Sequence, residues 1–149
     1  MEATIIPATK ELRLLVDYLP LPKLIAGKYD MVDENITAEN FFWSQTGRGE
    51  ILISLFRLAP LRRYISDEEI ISDLIKFGYE LPILPELVAT NGSCPTLQKE
   101  FSLIVLNKST QLSTSSFIDN NGAQRLITYP LKHYYLPEKY GFMGVKRLG

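Results

Sequence analysis

Ser66-Asp67-Glu68-Glu69-Ile70-Ile71-Ser72-Asp73-Leu74-Ile75-Lys76-Phe77-Gly78-Tyr79-Glu80-Leu81-Pro82-Ile83-Leu84-Pro85-Glu86-Leu87-Val88-Ala89-Thr90-Asn91-Gly92 is the stretch from which the fold is read. Ser66 followed by Glu69 forms a capping box, in which each side chain satisfies an orphan amide at a helix start. Ile70, Ile71, Leu74, Ile75 and Phe77 recur at helical spacing and make one apolar stripe. Gly78 stands where a helix ends in a left-handed residue. Pro85 fits the first turn of a second, shorter helix that Asn91-Gly92 can close. The stretch predicts a helix, a sharp turn and another helix. It organises structure and carries no chemistry of its own.

Upstream, Leu12, Leu14, Val16 and Tyr18 alternate as the inward face of a strand, although the leucines leave a helix open. Pro22 opens a brief helical turn that Gly27 ends. Tyr29 to Asn40 is a polar, acidic loop whose turn at Asn35 or Thr37 runs into Phe41-Phe42-Trp43. That aromatic cluster is expected to anchor the loop in the core. Gly47-Arg48-Gly49 reads as a turn before a strand over residues 50–58. Ile51, Ile53 and Leu55 take one face of it, and Leu52, Phe56 and Leu58 the other. A strand apolar on both faces belongs inside a sheet covered on both sides.

Downstream, Ser93 is expected to cap another short turn with Pro95 near its start. Residues 101–106 form an apolar strand, and residues 109–116 a polar loop or exposed edge. Asn120-Asn121-Gly122 sits between two strands and predicts a hairpin with a type I′ turn. Lys132 to Pro137 is an aromatic loop or edge, and residues 140–148 are the closing strand. The reading is one α+β domain over 1–149, with an antiparallel or mixed sheet and two to four short helices.

With 149 residues, 46% of them hydrophobic and 22% charged, the chain has an ordinary globular composition. No apolar run approaches the ~20 residues of a membrane helix. The start lacks the basic and apolar regions of a secretory signal. The single Cys94 excludes an internal disulfide, and a cytoplasmic location is expected. Charge is uneven: residues 1–50 carry 5 basic and 8 acidic side chains, residues 51–100 carry 5 and 7, and residues 101–149 carry 6 and 2. With a pI near 5.9, a dedicated nucleic-acid binder is not expected.

No complete catalytic or metal set is visible, and no cofactor is expected. His133 is the only histidine, and Cys94 has no cationic neighbours in sequence to lower its pKa. Zinc lacks its ligands. Asp30, Asp33 and Glu34 with His133 around a divalent ion is the enzymatic alternative, without the spacing of a calcium loop. The densest non-structural cluster is Lys132, His133, Tyr134, Tyr135 and Lys139, with Arg125, Tyr129, Tyr140, Phe142, Lys146 and Arg147 around it. Such residues anchor protein interfaces or stack single-stranded bases. The plainer reading is an edge strand guarded by lysines, with half-buried tyrosines. The expected activity is non-enzymatic: binding a protein partner, or assembling with a second copy, through Lys132, His133, Tyr134, Tyr135 and Lys139.

Several stretches together resemble an uncharacterised bacterial protein family. They are Gly27-Lys28-Tyr29-Asp30, the run from Asp33 to Phe41, Gly78-Tyr79 with Leu84-Pro85-Glu86-Leu87-Val88-Ala89, the run from Pro95 to Phe101, and Gly141-Phe142-Met143-Gly144-Val145-Lys146-Arg147. The resemblance spans residues 12–148 and implies an architecture but no site. Gly78-Tyr79-Glu80-Leu81-Pro82 followed by Pro85-Glu86-Leu87, with the last strand ending in Val145-Lys146-Arg147, is also similar to a segment and the final strand of C-type-lectin-like modules. Glu80 departs from the arginine of that pattern, and the tryptophan-rich middle of those modules is missing. Two sheet topologies stay open.

Overall fold

The computed structural model describes residues 2–107, 112–130, 133–134 and 139–148. In chain order the elements are β1 (Ile5–Pro7), β2 (Leu12–Asp17), α1 (Leu21–Ile25), β3 (Met31–Val32), β4 (Arg48–Leu58), β5 (Ile65–Ser66), α2 (Asp67–Lys76), α3 (Leu84–Ser93), α4 (Leu97–Glu100), β6 (Ser102–Val105), β7 (Leu112–Ile118), β8 (Gln124–Pro130), β9 (His133–Tyr134) and β10 (Tyr140–Arg147). The main sheet runs β1-β4-β10-β6-β7-β8-β3, with β2 also pairing β4. It is mixed: β10 lies parallel to β6 and β3 parallel to β8, and its other pairs are antiparallel.

Each face of this sheet carries its own core. Ile51, Ile53, Leu55, Met143 and Val145 pack with Leu84, Leu87 and Val88 of α3 and with Leu21 and Leu24 of α1. Phe56, Leu58, Ile104 and Phe142 pack on the other side with Ile70, Ile71 and Leu74 of α2. Helix, sheet and helix therefore make three layers around β4, whose two apolar faces require cover on both sides.

The organising stretch forms as its residues dictate. The Ser66 hydroxyl accepts the Glu69 amide at 3.2 Å, and Glu69 Oε1 accepts the Ser66 amide at 3.5 Å. Gly78 turns the chain at φ +89°. Tyr79 then crosses β10 at Gly144, where a Cβ would lie 2.9 Å from the Tyr79 Cβ. The glycine is a space requirement of that crossing.

Several expectations change. Arg48 and Gly49 belong to β4, so only Gly47, at φ +70°, makes that turn. Helix α3 runs through Gly92 to Ser93, which therefore caps nothing; Thr96 precedes α4. The hairpin loop covers residues 119–123 rather than two residues, because the Asp119 carboxylate accepts the Asn121 and Ala123 amides and props it open. Of the polar stretch before it, residues 112–116 belong to an interior strand, and residues 109–111 lie outside the described residues. Ser113, Thr114, Ser115 and Ser116 of β7 are buried between β6 and β8. Among the described residues, no helix is long and apolar enough to cross a membrane.

Candidate functional site

The closing aromatic cluster is divided by the fold. Tyr134 is 3% exposed, turned into the α2-side core through the pairing of β9 with β5. Its ring meets Tyr140 and Phe142 edge-on at centroid distances of 5.3 and 5.1 Å, and its hydroxyl lies 3.2 Å from that of Tyr129. Burial, together with Tyr129 and the Asp67 carboxylate nearby, pushes the Tyr134 phenol well up. Tyr134 is a core residue here, because a phenol ring gains more by covering Phe142 than by standing in water. Lys139 is exposed. His133 pairs its backbone with Ser66, while its side chain, and all of Lys132 and Tyr135, lie outside the described residues.

Neighbouring cations of that cluster are engaged internally. Lys146 Nζ lies 3.0 Å from Glu11 and 4.5 Å above the Tyr79 ring. Arg125 faces Asp119 at 4.0 Å. Arg147 reaches Glu86 and the Leu81 carbonyl.

The acidic loop serves as a clamp. Asp30 Oδ2 accepts the Gln124 amide at 2.7 Å, and Asp33 Oδ2 accepts the Thr128 amide and hydroxyl at 3.1 and 3.0 Å. Asp33 Oδ1 also accepts the Asn35 amide. These bonds, Asn35's first and Thr128's next, outweigh desolvation and hold the Asp33 carboxyl below the usual range. Two of the three candidate carboxylates thus fasten β3 to β8. Among the described residues, no three His, Cys, Asp or Glu side chains gather to hold a metal.

The loop that the clamp fixes delivers Phe41-Phe42-Trp43 to a cleft. The Phe41 amide donates to the Thr37 carbonyl, and Asn40 Nδ2 donates to the Asn35 carbonyl, so the turn is rigidly tied. Three consecutive side chains leaving a turn cannot share one core face, and here they separate. Phe41 is buried, Trp43 is half-buried against the α3-side core, and Phe42 is 82% exposed. The expectation that the cluster anchors the loop holds for Phe41 and Trp43; Phe42 is the exception.

Leu81-Pro82-Ile83-Leu84 lines the same cleft as a second wall, with Val105, Leu106 and Thr114, around about 350 Å³. Among the described residues the lining includes Glu39 and no Lys, Arg, His or Cys; Lys108 to Gln111, which follow Asn107 of the lining, lie outside them. Its second wall is held from behind. Glu86, fully buried, accepts the Ile83 amide at 2.9 Å, the Tyr18 hydroxyl at 2.9 Å and both prongs of Arg147. Burial first, and the Glu86 charge next, raise the Tyr18 phenol strongly. Ile83 and Pro82 therefore present a fixed apolar edge.

Comparison with protein-family models, with curated proteins and with solved structures finds no match.

Proposed function

We propose that this chain is a non-enzymatic binding domain whose partner is a protein, engaged through the cleft between Phe42 and the Leu81–Leu84 wall. The observation that carries this is Phe42: a phenylalanine 82% exposed at the lip of an apolar cleft, on a loop tied down by hydrogen bonds. Exposing such a ring costs roughly 2 kcal/mol of apolar burial, and a covering partner surface returns it. Aromatic residues beside well-packed pockets are the usual anchors of protein interfaces. The lining selects the partner's chemistry. With Glu39 as the one charge among its described lining residues, it accommodates an aliphatic or aromatic side chain flanked by neutral or basic residues. Cytoplasmic location stands with this reading as a proposal, supported by the lone free Cys94.

Trp43 is the only tryptophan and lines the cleft, so its emission reports on occupancy. Peptides selected from a random displayed library against the whole chain should carry an apolar residue with basic neighbours and should shift Trp43 emission. Phe42→Ser should weaken those peptides at least tenfold, a change of about 1.4 kcal/mol, without altering the far-ultraviolet dichroism. Selected peptides indifferent to Phe42→Ser would overturn the assignment.

A further inference from the structure

The strand β2 has one edge that no described strand pairs, with only the Asp17 carbonyl on it taken, by the Leu19 amide at 3.0 Å. Among the described residues it pairs with β4 alone. The Tyr18 amide donates to the Gly47 carbonyl at 2.8 Å, continuing the register in which Leu12, Leu14 and Val16 oppose Ile53, Ile51 and Gly49. The Glu50 carbonyl, opposite Leu15, instead points the other way and accepts the Leu148 amide at 3.0 Å. Backbone groups alternate along an antiparallel strand. The amides and carbonyls of Arg13 and Leu15, and the amide of Asp17, therefore point outward along the open edge.

The side chains of those same three residues share one face and are all exposed, Leu15 at 56%. Arg13 Nε lies 2.7 Å from Glu50, and Arg48 Nε lies 3.9 Å from Asp17. Leu15 and Asp17 also line a groove of about 480 Å³, together with Leu24, Lys28, Pro85 and Val88. The other short strands compete poorly, because β1 ends in Pro7, which lacks an amide proton, and β3 has only two residues.

We infer that β2 pairs antiparallel with β2 of a second copy of this chain, about a two-fold axis at Leu15. The sequence is self-complementary in that register. Arg13 falls opposite Asp17 of the second copy, Leu15 opposite Leu15, and Asp17 opposite Arg13. Directly opposed unlike charges stabilise a strand pair, and like charges oppose it. The charges then run Arg48, Asp17, second-copy Arg13, second-copy Glu50, alternating in sign across the boundary, and the same row repeats on the other side of the axis. Shifting the pairing one way sets Asp17 against Glu11, two negatives; shifting it the other way sets Arg13 against Leu19 and Asp17 against Leu15, with no charge pair. Charges on an edge strand ordinarily discourage pairing. Here their order permits one pairing and discourages the rest. The arrangement is isologous, so it closes at two copies instead of growing a fibre. It is independent of the Phe42 cleft, which the register does not involve.

The test uses two opposite charge variants of the whole chain, Arg13→Asp and Asp17→Arg, in light scattering coupled to size exclusion. Wild type is expected at twice its 17.0 kDa mass. Each variant alone opposes like charges twice and is expected at the single mass, with unchanged far-ultraviolet dichroism. An equimolar mixture of the two restores opposite charges at both positions and is expected to return to the doubled mass. In the wild-type dimer, the Leu15 amide should exchange with solvent more slowly than in either isolated variant. Monomeric wild type overturns the inference, as do variants that stay dimeric or a mixture that stays monomeric while both components are folded.

Discussion

Arg147 holds Glu86 with two parallel bonds inside the protein, Nε to Oε2 at 2.9 Å and Nη2 to Oε1 at 2.8 Å. The pair joins the end of β10 to the first turn of α3, and Tyr18 brings in the segment after β2 by the third bond. Removing Glu86 leaves partly buried Arg147 with only exposed Glu80 at 3.4 Å, and takes the acceptor from the Ile83 amide and the Tyr18 hydroxyl. Glu86→Ala is expected to cost about 3–5 kcal/mol, read as a lower urea midpoint. The double change Glu86→Leu with Arg147→Met should cost less than Glu86→Ala alone, since neither residue then leaves a buried charge behind. A Glu86→Ala loss no larger than the roughly 1 kcal/mol of an exposed pair would contradict this account.

Gly144→Ala tests the crossing of Tyr79 over β10. The added methyl would sit 2.9 Å from the Tyr79 Cβ and 3.0 Å from its Cγ, atoms close to the backbone that cannot swing aside. Overpacking of this kind costs typically about 1–3 kcal/mol. The clash is with the Cβ and Cγ of Tyr79, so only removing both relieves it, and Gly144→Ala with Tyr79→Gly should be less than additive. Additive losses would place the clash elsewhere.

The elements legible in the sequence were those with local causes. The Ser66–Glu69 box, the positive φ of Gly78 and the two-faced β4 each follow from residues within a few positions of one another. What escaped was set by partners distant in the chain. Met31-Val32 is a strand only because Asp30 and Asp33 bond to residues 124 and 128 across the sheet. The serines of β7 are interior because β6 and β8 pair on both sides of that strand, with Asn91 of α3 donating to Ser116, and no hydroxyl-rich run announces such partners. Tyr134 looked like a surface anchor by composition, yet two-residue β9 is too short for its alternation to show which way the ring points. The Phe42 cleft was not legible: all three aromatics were expected to anchor the loop in the core, and Phe42 stands outside it.

Tyr134 illustrates the cost of that ambiguity. Its ring fills the angle between Tyr140 and Phe142, with Tyr129 beside it. Tyr134→Ala is expected to lose about 3–5 kcal/mol of stability, as for other large aromatic truncations in cores. Chemical denaturation measures it directly. A surface anchor would leave the midpoint unmoved, and that outcome would return Tyr134 to the list of contact candidates.

Asp33 gives the fold an acid sensitivity whose sign is fixed. The Asn35 amide and the Thr128 amide and hydroxyl hold its carboxyl below the ordinary value of 3.8. A carboxyl depressed in the folded state contributes stability that is present above its unfolded value and lost as pH falls through the folded one. The contribution is therefore complete near neutrality and disappears below about pH 4. Asp33→Asn removes the charge while keeping an oxygen acceptor. Its stability deficit against wild type should be largest near neutral pH and shrink in acid. The Thr128 amide resonance of wild type should shift over the same interval as its acceptor is protonated. A deficit of equal size at neutral and acid pH would assign the role to shape or hydrogen-bond geometry instead of charge, and an unmoved Thr128 resonance would remove Asp33 as the group titrating there.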